Sequence, residues 1–443
     1  PLEVGLSTSQ SNYNLYLSEA GWHRATITAT DNNGNVSGEF ASSNSYIDFY
    51  VAKPTVVFVP GLMASALADN NGNQVWPPVD FMNIDVNNPK DIKLKAAMII
   101  AALEQALTTM DLRSDGTPVH QLTPIGAVHN FSGDTTQQDF VNYISDNGNV
   151  NVIEAPYDWR LDLGGSTVQN QISAAISKAL TVSHGEPISI ITHSLGGLPM
   201  KKYLIDHKYD SLLKVESLIN VAPPMLGAGV AMKALEEGDD LGTLSGAGVP
   251  EALVPFVNKT FMRPIARKMT SIYQLIPTQT FINQYNGVTN YNNSFFDYKI
   301  QNFGGGPFGQ EGTKQVVSNY SETVNYINSE HNSALFQKAQ AFRNMIENQL
   351  INSNINQYRF IGYQGSNTNV YFPDIVKVYK KKTEVFVPGY GFSSGIDYKY
   401  LWGIGDGVVP YKSAAYDGAP DVKKYYGAGF NHMSILFNKY RQN

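Results

Sequence analysis

Ile190-Ile191-Thr192-His193-Ser194-Leu195-Gly196-Gly197-Leu198-Pro199-Met200 reads as a strand, a tight turn and a helix with a serine at the turn's tip. The preceding run Pro187-Ile188-Ser189-Ile190-Ile191 is short and apolar, as suits a buried parallel strand, and Leu198 to His207 reads as the helix that follows. Such a nucleophile elbow strains the serine backbone, so the positions two before and two after it must be small. Gly196 meets that need and Thr192 meets it only loosely. The competing reading is a chance His-Ser pair ahead of a Gly-Gly helix start.

Working outward, Thr55-Val56-Val57-Phe58-Val59 is β-branched and apolar throughout, the pattern of a central parallel strand. It breaks at Pro60-Gly61, and the loop Leu62-Met63-Ala64-Ser65 is placed to turn a backbone N–H toward a reacting oxygen, or is an ordinary strand exit. Val150-Asn151-Val152-Ile153 is another short strand. Thr167 to Leu180 stacks Val168, Ile172, Ile176 and Leu180 at a spacing of four, an amphipathic helix leading into the elbow, and Val215 to Val221 supplies a further strand. Asp91 to Leu107 reads as a helix over the sheet. The order strand, helix, strand, elbow, helix is that of an α/β protein with a mainly parallel sheet.

Outside this frame the periodicity changes. Lys53-Pro54 reads as a linker, and residues 1–53 as a β-meander, with Trp22 to Thr30 alternating, Asp31-Asn32-Asn33-Gly34-Asn35 turning and Tyr46 to Val51 resuming. The stretch Gly21 to Asn35 resembles the C-terminal half of bacterial immunoglobulin-like modules, although a whole sandwich needs about 100 residues. From about 225 to 320, glycine-rich and aromatic stretches replace regular periodicity, which suggests an inserted cap or lid over an apolar pocket, or a surface excursion. Asn332 to Leu350 returns as a helix and Tyr358 to Tyr363 as a strand. A hairpin of Ile375 to Tyr379 and Glu384 to Val387 follows, with Lys380-Lys381-Lys382 as its solvated tip.

The chain has 443 residues, 42% hydrophobic, enough for one large domain plus a small accessory piece. A net charge of -6 with no basic stripe gives nothing that recruits nucleic acid. With no cysteine there is no disulfide framework, thiolate metal site or cysteine nucleophile, so covalent chemistry falls to Ser, Thr, Lys or a carboxylate. The polar, cysteine-free composition is compatible with a bacterial extracellular or cell-surface protein. No signal-peptide pattern stands at Pro1-Leu2-Glu3, and the longest apolar run, Ala96 to Leu103, is too short to span a bilayer.

A serine nucleophile needs a base and an orienting acid, which in an α/β-hydrolase follow it in the order Ser, acid, His. Of the histidines after the elbow, His207 falls at the end of the elbow helix and His331 at a helix start, whereas His432 follows a loop-borne acid late in the chain. Asp406, between Gly405 and Gly407, is the best such acid, with Asp397 and Asp417 as rivals. Ser194 would then attack, His432 would take its proton, Asp406 would hold the imidazole, and the N–H groups of Leu62 and Leu195 would meet the oxyanion. No metal or cofactor is required. His193, beside the nucleophile, is read as a packing residue.

Val57-Phe58-Val59-Pro60-Gly61-Leu62, Ala155-Pro156-Tyr157-Asp158-Trp159-Arg160, His193-Ser194-Leu195-Gly196-Gly197, Gly405-Asp406-Gly407-Val408-Val409-Pro410 and His432 together resemble, in order, the lecithin:cholesterol acyltransferase family. The likeness runs from about Pro54 to the C-terminus. It implies an α/β-hydrolase fold, the triad Ser194, Asp406 and His432, and Leu62 with Leu195 as oxyanion donors. It further implies that Trp76 belongs to a lid touching acyl chains and that Asp158, Trp159 and Arg160 lie near the pocket; the preferred reading of these three is an internal ion pair and packed indole that hold the loop. The animal enzymes' disulfides are missing here, so their lid behaviour does not carry over. The implied partner is a lipid ester, met at a membrane or lipid-particle surface, its acyl group passing to an alcohol or to water. A short-chain esterase or polyester hydrolase is the alternative enzyme, and a surface-binding module without catalysis the alternative of another class. Oligomeric state stays open.

Overall fold

The computed structural model describes residues 20–26, 33, 46–78, 92–129, 134–239, 254–285, 294–303, 312–363, 373–387, 391–416 and 422–437. In the N-terminal piece, β1 (Gly21–Thr26) and β2 (Tyr46–Val51) pair antiparallel, and the Tyr50 ring packs 4.6 Å from that of His184. The turn read at Asp31 to Asn35 lies, except for Asn33, outside the described residues. What is described is one strand pair, and no immunoglobulin sandwich is present among the described residues.

The apolar run from Thr55 becomes β3 (Thr55–Val59), whose Val57, Phe58 and Val59 are completely buried. Burial on both faces is what a continuous β-branched run anticipates. The chain then makes a small three-stranded sheet of β4 (Ser65–Ala68), β5 (Gln74–Trp76) and β6 (Thr123–Ala127). Next come β7 (Asn151–Glu154), β8 (Ile188–His193) and β9 (Val215–Val221). Further on are β10 (Phe296–Phe303), β11 (Gly312–Val317), β12 (Asn356–Tyr363), β13 (Pro373–Val387), β14 (Gly391–Ile404) and β15 (Lys423–Ala428). Six of these form the main sheet in the order β15-β12-β9-β8-β3-β7, every neighbour parallel. Parallel pairing sends the loops that leave β3, β8 and β12 to one edge of the sheet, where a site can be assembled.

Of the helices, α1 (Ile92–Thr109), expected over the main sheet, packs on β5 of the small one, while α2 (Thr136–Asn147), α3 (Ser166–Val182) and α4 (Gly197–Asp206) cover β7, β3 and β8. In α3 the buried residues are Val168, Ile172, Ala175, Ile176 and Ala179, one apolar stripe laid against β3 and β7. Later helices are α5 (Val230–Glu236), α6 (Tyr320–Glu330) and α7 (Ser333–Asn348), with short helices between 254 and 284. The Asn319 side chain caps α6 by accepting from Glu322 N at 2.9 Å, and that of Asn332 caps α7 by accepting from Leu335 N at 3.2 Å. No helix of the described residues is long and apolar enough to cross a membrane.

The stretch 225–320 contains α5, the short helices, β10 and β11; residues 240–253, 286–293 and 304–311 of it lie outside the described residues. Its strands do not stand alone. They join a second sheet of order β11-β10-β13-β14, half of it drawn from 373–404. The expected hairpin within 375–387 is corrected here: β13 runs straight through the lysines and pairs along its length with β14. Lys380 is therefore mid-strand, and its Nζ donates to Glu236 Oε2 at 2.9 Å. Glu236 also accepts from the Tyr326 hydroxyl at 2.7 Å, His331 Nε2 at 2.9 Å and the Tyr398 hydroxyl at 2.9 Å. Burial pushes the Glu236 carboxyl up, but the His331 hydrogen bond and the Lys380 charge outweigh it and hold the group below its usual range. Lys380 looks solvated in sequence because its partner arrives from α5, 144 residues away.

Candidate active site

At the end of β8 the chain turns through a 3₁₀ turn, Ser194–Gly196, directly into α4. Ser194 has φ +52°, a left-handed conformation that costs a residue with a Cβ of order 1–3 kcal/mol and persists where the surroundings hold it. They do so here through close packing. A Cβ on Gly196 would meet Val59 O at 2.7 Å, and one on Gly61 would meet Ser194 Cβ at 2.9 Å. Thr192 fits the position two before the serine because its hydroxyl donates to Asn220 Oδ1 of β9 at 2.8 Å, so a polar group in a buried place is paired.

The acid and base come from beyond the other side of β9. Asp406 follows β14 and is 1% exposed; its Oδ1 accepts from Val409 N at 2.8 Å and Val408 N at 3.1 Å. Its Oδ2 lies 2.8 Å from His432 Nδ1. A carboxylate only accepts, so Nδ1 carries a proton there, and in the neutral imidazole Nε2 then keeps a lone pair. The His432 amide in turn donates to Asp406 O at 2.8 Å. Of the rival acids, Asp397 lies on β14 opposite Lys381, away from the base, and Asp417 lies outside the described residues.

Ser194 and His432 line one cavity of about 290 Å3, together with Leu62, Met63, Trp76 and Leu275. The two share no direct hydrogen bond among the described residues; such bonds often close only around substrate. Leu195 lines the same space, so both residues read as oxyanion donors border the serine. A second, smaller chamber of about 40 Å3 shares Leu62, Met63 and Trp76 with the first and continues among Met110, Met262 and Met269. Both spaces are lined mainly by apolar side chains.

Trp76, which the resemblance places in a lid, ends β5 and lines both cavities. It is 1% exposed, its Nε1–H donates to Met63 O at 2.8 Å, and its ring meets Trp159 edge-on at 5.7 Å. Trp159 lines the smaller chamber and donates from Nε1 to Ser65 O at 3.1 Å. Asp158 does not reach either cavity. Its carboxylate is taken by Arg160 through two bonds, Nε to Oδ1 at 2.8 Å and Nη2 to Oδ2 at 2.6 Å, while Arg160 Nη1 donates to Met110 O at 2.6 Å. The pair is buried, so its role is to hold the loop after β7.

His193, expected as a packing residue, does more than pack. The structure turns its ring toward the base loop, with Nε2 2.9 Å from His432 O. Burial, and then the nearby His432, push its pKa down to about 3, so it is neutral. The cavity residues Gln137, Val230 and Met433 carried no sequence signal, since each is an ordinary residue brought in by a different element.

Among curated proteins no sequence matches. Similar solved structures include the Tle4–Tli4 complex, 12% identical over 87% of this chain and 95% of that one, with a TM-score of 0.47. The mature form of the Bacillus licheniformis lipase BlEst2 is 13% identical over 94% of this chain and 92% of its own, with a TM-score of 0.30. Phospholipase PlaB from Legionella pneumophila is 10% identical over 77% and 75%, with a TM-score of 0.23. The family description of lecithin:cholesterol acyltransferase matches residues 134–384, more than half of the chain, though a shorter span than the resemblance from Pro54 onward and one that ends before Asp406 and His432. The chain belongs to the lecithin:cholesterol acyltransferase family, and with it to the enzymes that transfer or hydrolyse acyl groups of lipid esters.

Proposed function

We propose that the reaction is a two-step acyl transfer through Ser194. The observation that carries it is the strained serine in an apolar cavity with His432, whose Nδ1 is 2.8 Å from Asp406. His432 Nε2 accepts the Ser194 proton as Oγ bonds to the ester carbonyl carbon, and the carbonyl π electrons move onto its oxygen. The Leu62 and Leu195 N–H groups meet that oxyanion, each worth about 3 kcal/mol in comparable sites. Collapse expels the alcohol, which takes the proton from His432 and leaves acyl-Ser194. A second alcohol or water, deprotonated by His432, then releases the acyl group and restores the serine.

The apolar cavity and its methionine-lined extension favour a lipid acyl chain over a short acid. A long-chain fluorophosphonate labels the wild type under this reading and leaves Ser194→Ala unlabelled; equal labelling of both would overturn it. Incubation with a phospholipid carrying a labelled acyl chain, with and without a long-chain alcohol, separates transfer (labelled ester) from hydrolysis (labelled acid).

A further inference from the structure

Acid and base are fastened to each other, but that does not fasten them to the nucleophile. His432 is held to Asp406 through its ring and its amide, and its loop is closed by Asn431, whose Oδ1 accepts from Met433 N at 3.1 Å and Ser434 N at 2.7 Å. Ser194 directly follows β8, while the base loop follows β15, and β9 and β12 lie between the two strands. The gap between hydroxyl and imidazole is therefore set across the top of the sheet.

His193 bridges that gap. It is 3% exposed, and its Nε2 lies 2.9 Å from the His432 carbonyl oxygen. A carbonyl only accepts, so the His193 proton must be on Nε2. The two rings are 4.9 Å apart at 41°, in contact without a ring-to-ring hydrogen bond. Because His193 and Ser194 are consecutive and His193 ends β8, a bond from His193 to the backbone of His432 ties the base to the nucleophile's own backbone.

We propose that His193 is a positioning residue, its Nε2–H holding the His432 carbonyl and so setting the catalytic imidazole against Ser194. This rests on the serine reading above. A misplacement of about 1 Å in such a pair can cost about 100-fold in rate. His193→Phe fills the space without donating, whereas His193→Gln places an amide N–H near the former Nε2. The phenylalanine variant should lose about 100-fold in kcat with KM within threefold, and the glutamine variant should recover to within tenfold of wild type at similar thermal stability. Equal kcat for the two variants, or a loss confined to KM, overturns the proposal. Ser194→Ala and His432→Ala run alongside: turnover in these defeats the serine reading itself, whereas their inactivity beside an undiminished His193→Phe defeats the positioning role alone. If the phenylalanine variant does not fold, 15N imidazole shifts of the wild type decide, an Nε2–H tautomer supporting the bond and an Nδ1–H tautomer overturning it.

Discussion

Gly61 lies directly against Ser194: a Cβ placed on Gly61 would stand 2.9 Å from Ser194 Cβ and 3.5 Å from its hydroxyl oxygen. Backbone of the β3 loop and side chain of the elbow thus share one space, which has no room for a Cβ on Gly61. Gly61→Ala should leave the fold intact and displace the serine or the Leu62 amide. An activity loss of about 100-fold is expected, since a shift near 1 Å has that effect. Steady-state ester turnover beside a circular dichroism spectrum tests it; activity within threefold of wild type would show that the contact is slack.

Asp406 accepts from Val408 and Val409 through one oxygen and from His432 through the other. Asp406→Asn can hold the turn with its carbonyl, but presents an NH₂ to Nδ1 and forces the wrong tautomer on His432. A fall on the order of 10⁴-fold in kcat is expected, with the melting temperature little changed. Retained turnover would assign the acid elsewhere.

Trp76 lines both the cavity beside Ser194 and the methionine-lined chamber. Trp76→Phe removes one ring and the Nε1–H to Met63 O, widening the passage. The ratio of kcat/KM for long-chain over short-chain esters should rise roughly tenfold, about the worth of burying two more methylenes. An unchanged ratio would mean that acyl chains leave by another route.

Glu236 neutralises Lys380 where both are largely buried. Glu236→Gln strands that ammonium and should cost about 3–5 kcal/mol in urea denaturation at pH 7. The pH dependence has a definite sign. A carboxyl held below its usual value contributes stability above the unfolded pKa and loses it as pH falls, so the gap between wild type and variant should narrow below about 4.5. A gap that is constant with pH would point to packing instead of charge.

Much of the frame was legible in sequence because its signals are local. Thr55–Val59 and Val215–Val221 are legible at their true bounds, and α3 within two residues at each end, since a β-branched run and a stripe at i, i+4 state their own periodicity. The elbow was legible too, as Gly196 must be small wherever the fold puts it beside Val59 O. Lys380 was misread because its partner lies 144 residues away, and nothing local distinguishes a buried lysine from a solvated one.

Sequence by itself determined the parallel α/β frame, the serine at its turn and the order in which an acid and a histidine follow. Which atoms meet emerges only in the folded chain: Asp406 Oδ2 with His432 Nδ1, Trp76 Nε1 with the carbonyl of Met63, and His193 Nε2 with the carbonyl of His432. The division is physical. Hydrophobic periodicity is a property of neighbouring residues, whereas a hydrogen bond between residues 239 positions apart exists only once the sheet has brought them within 3 Å.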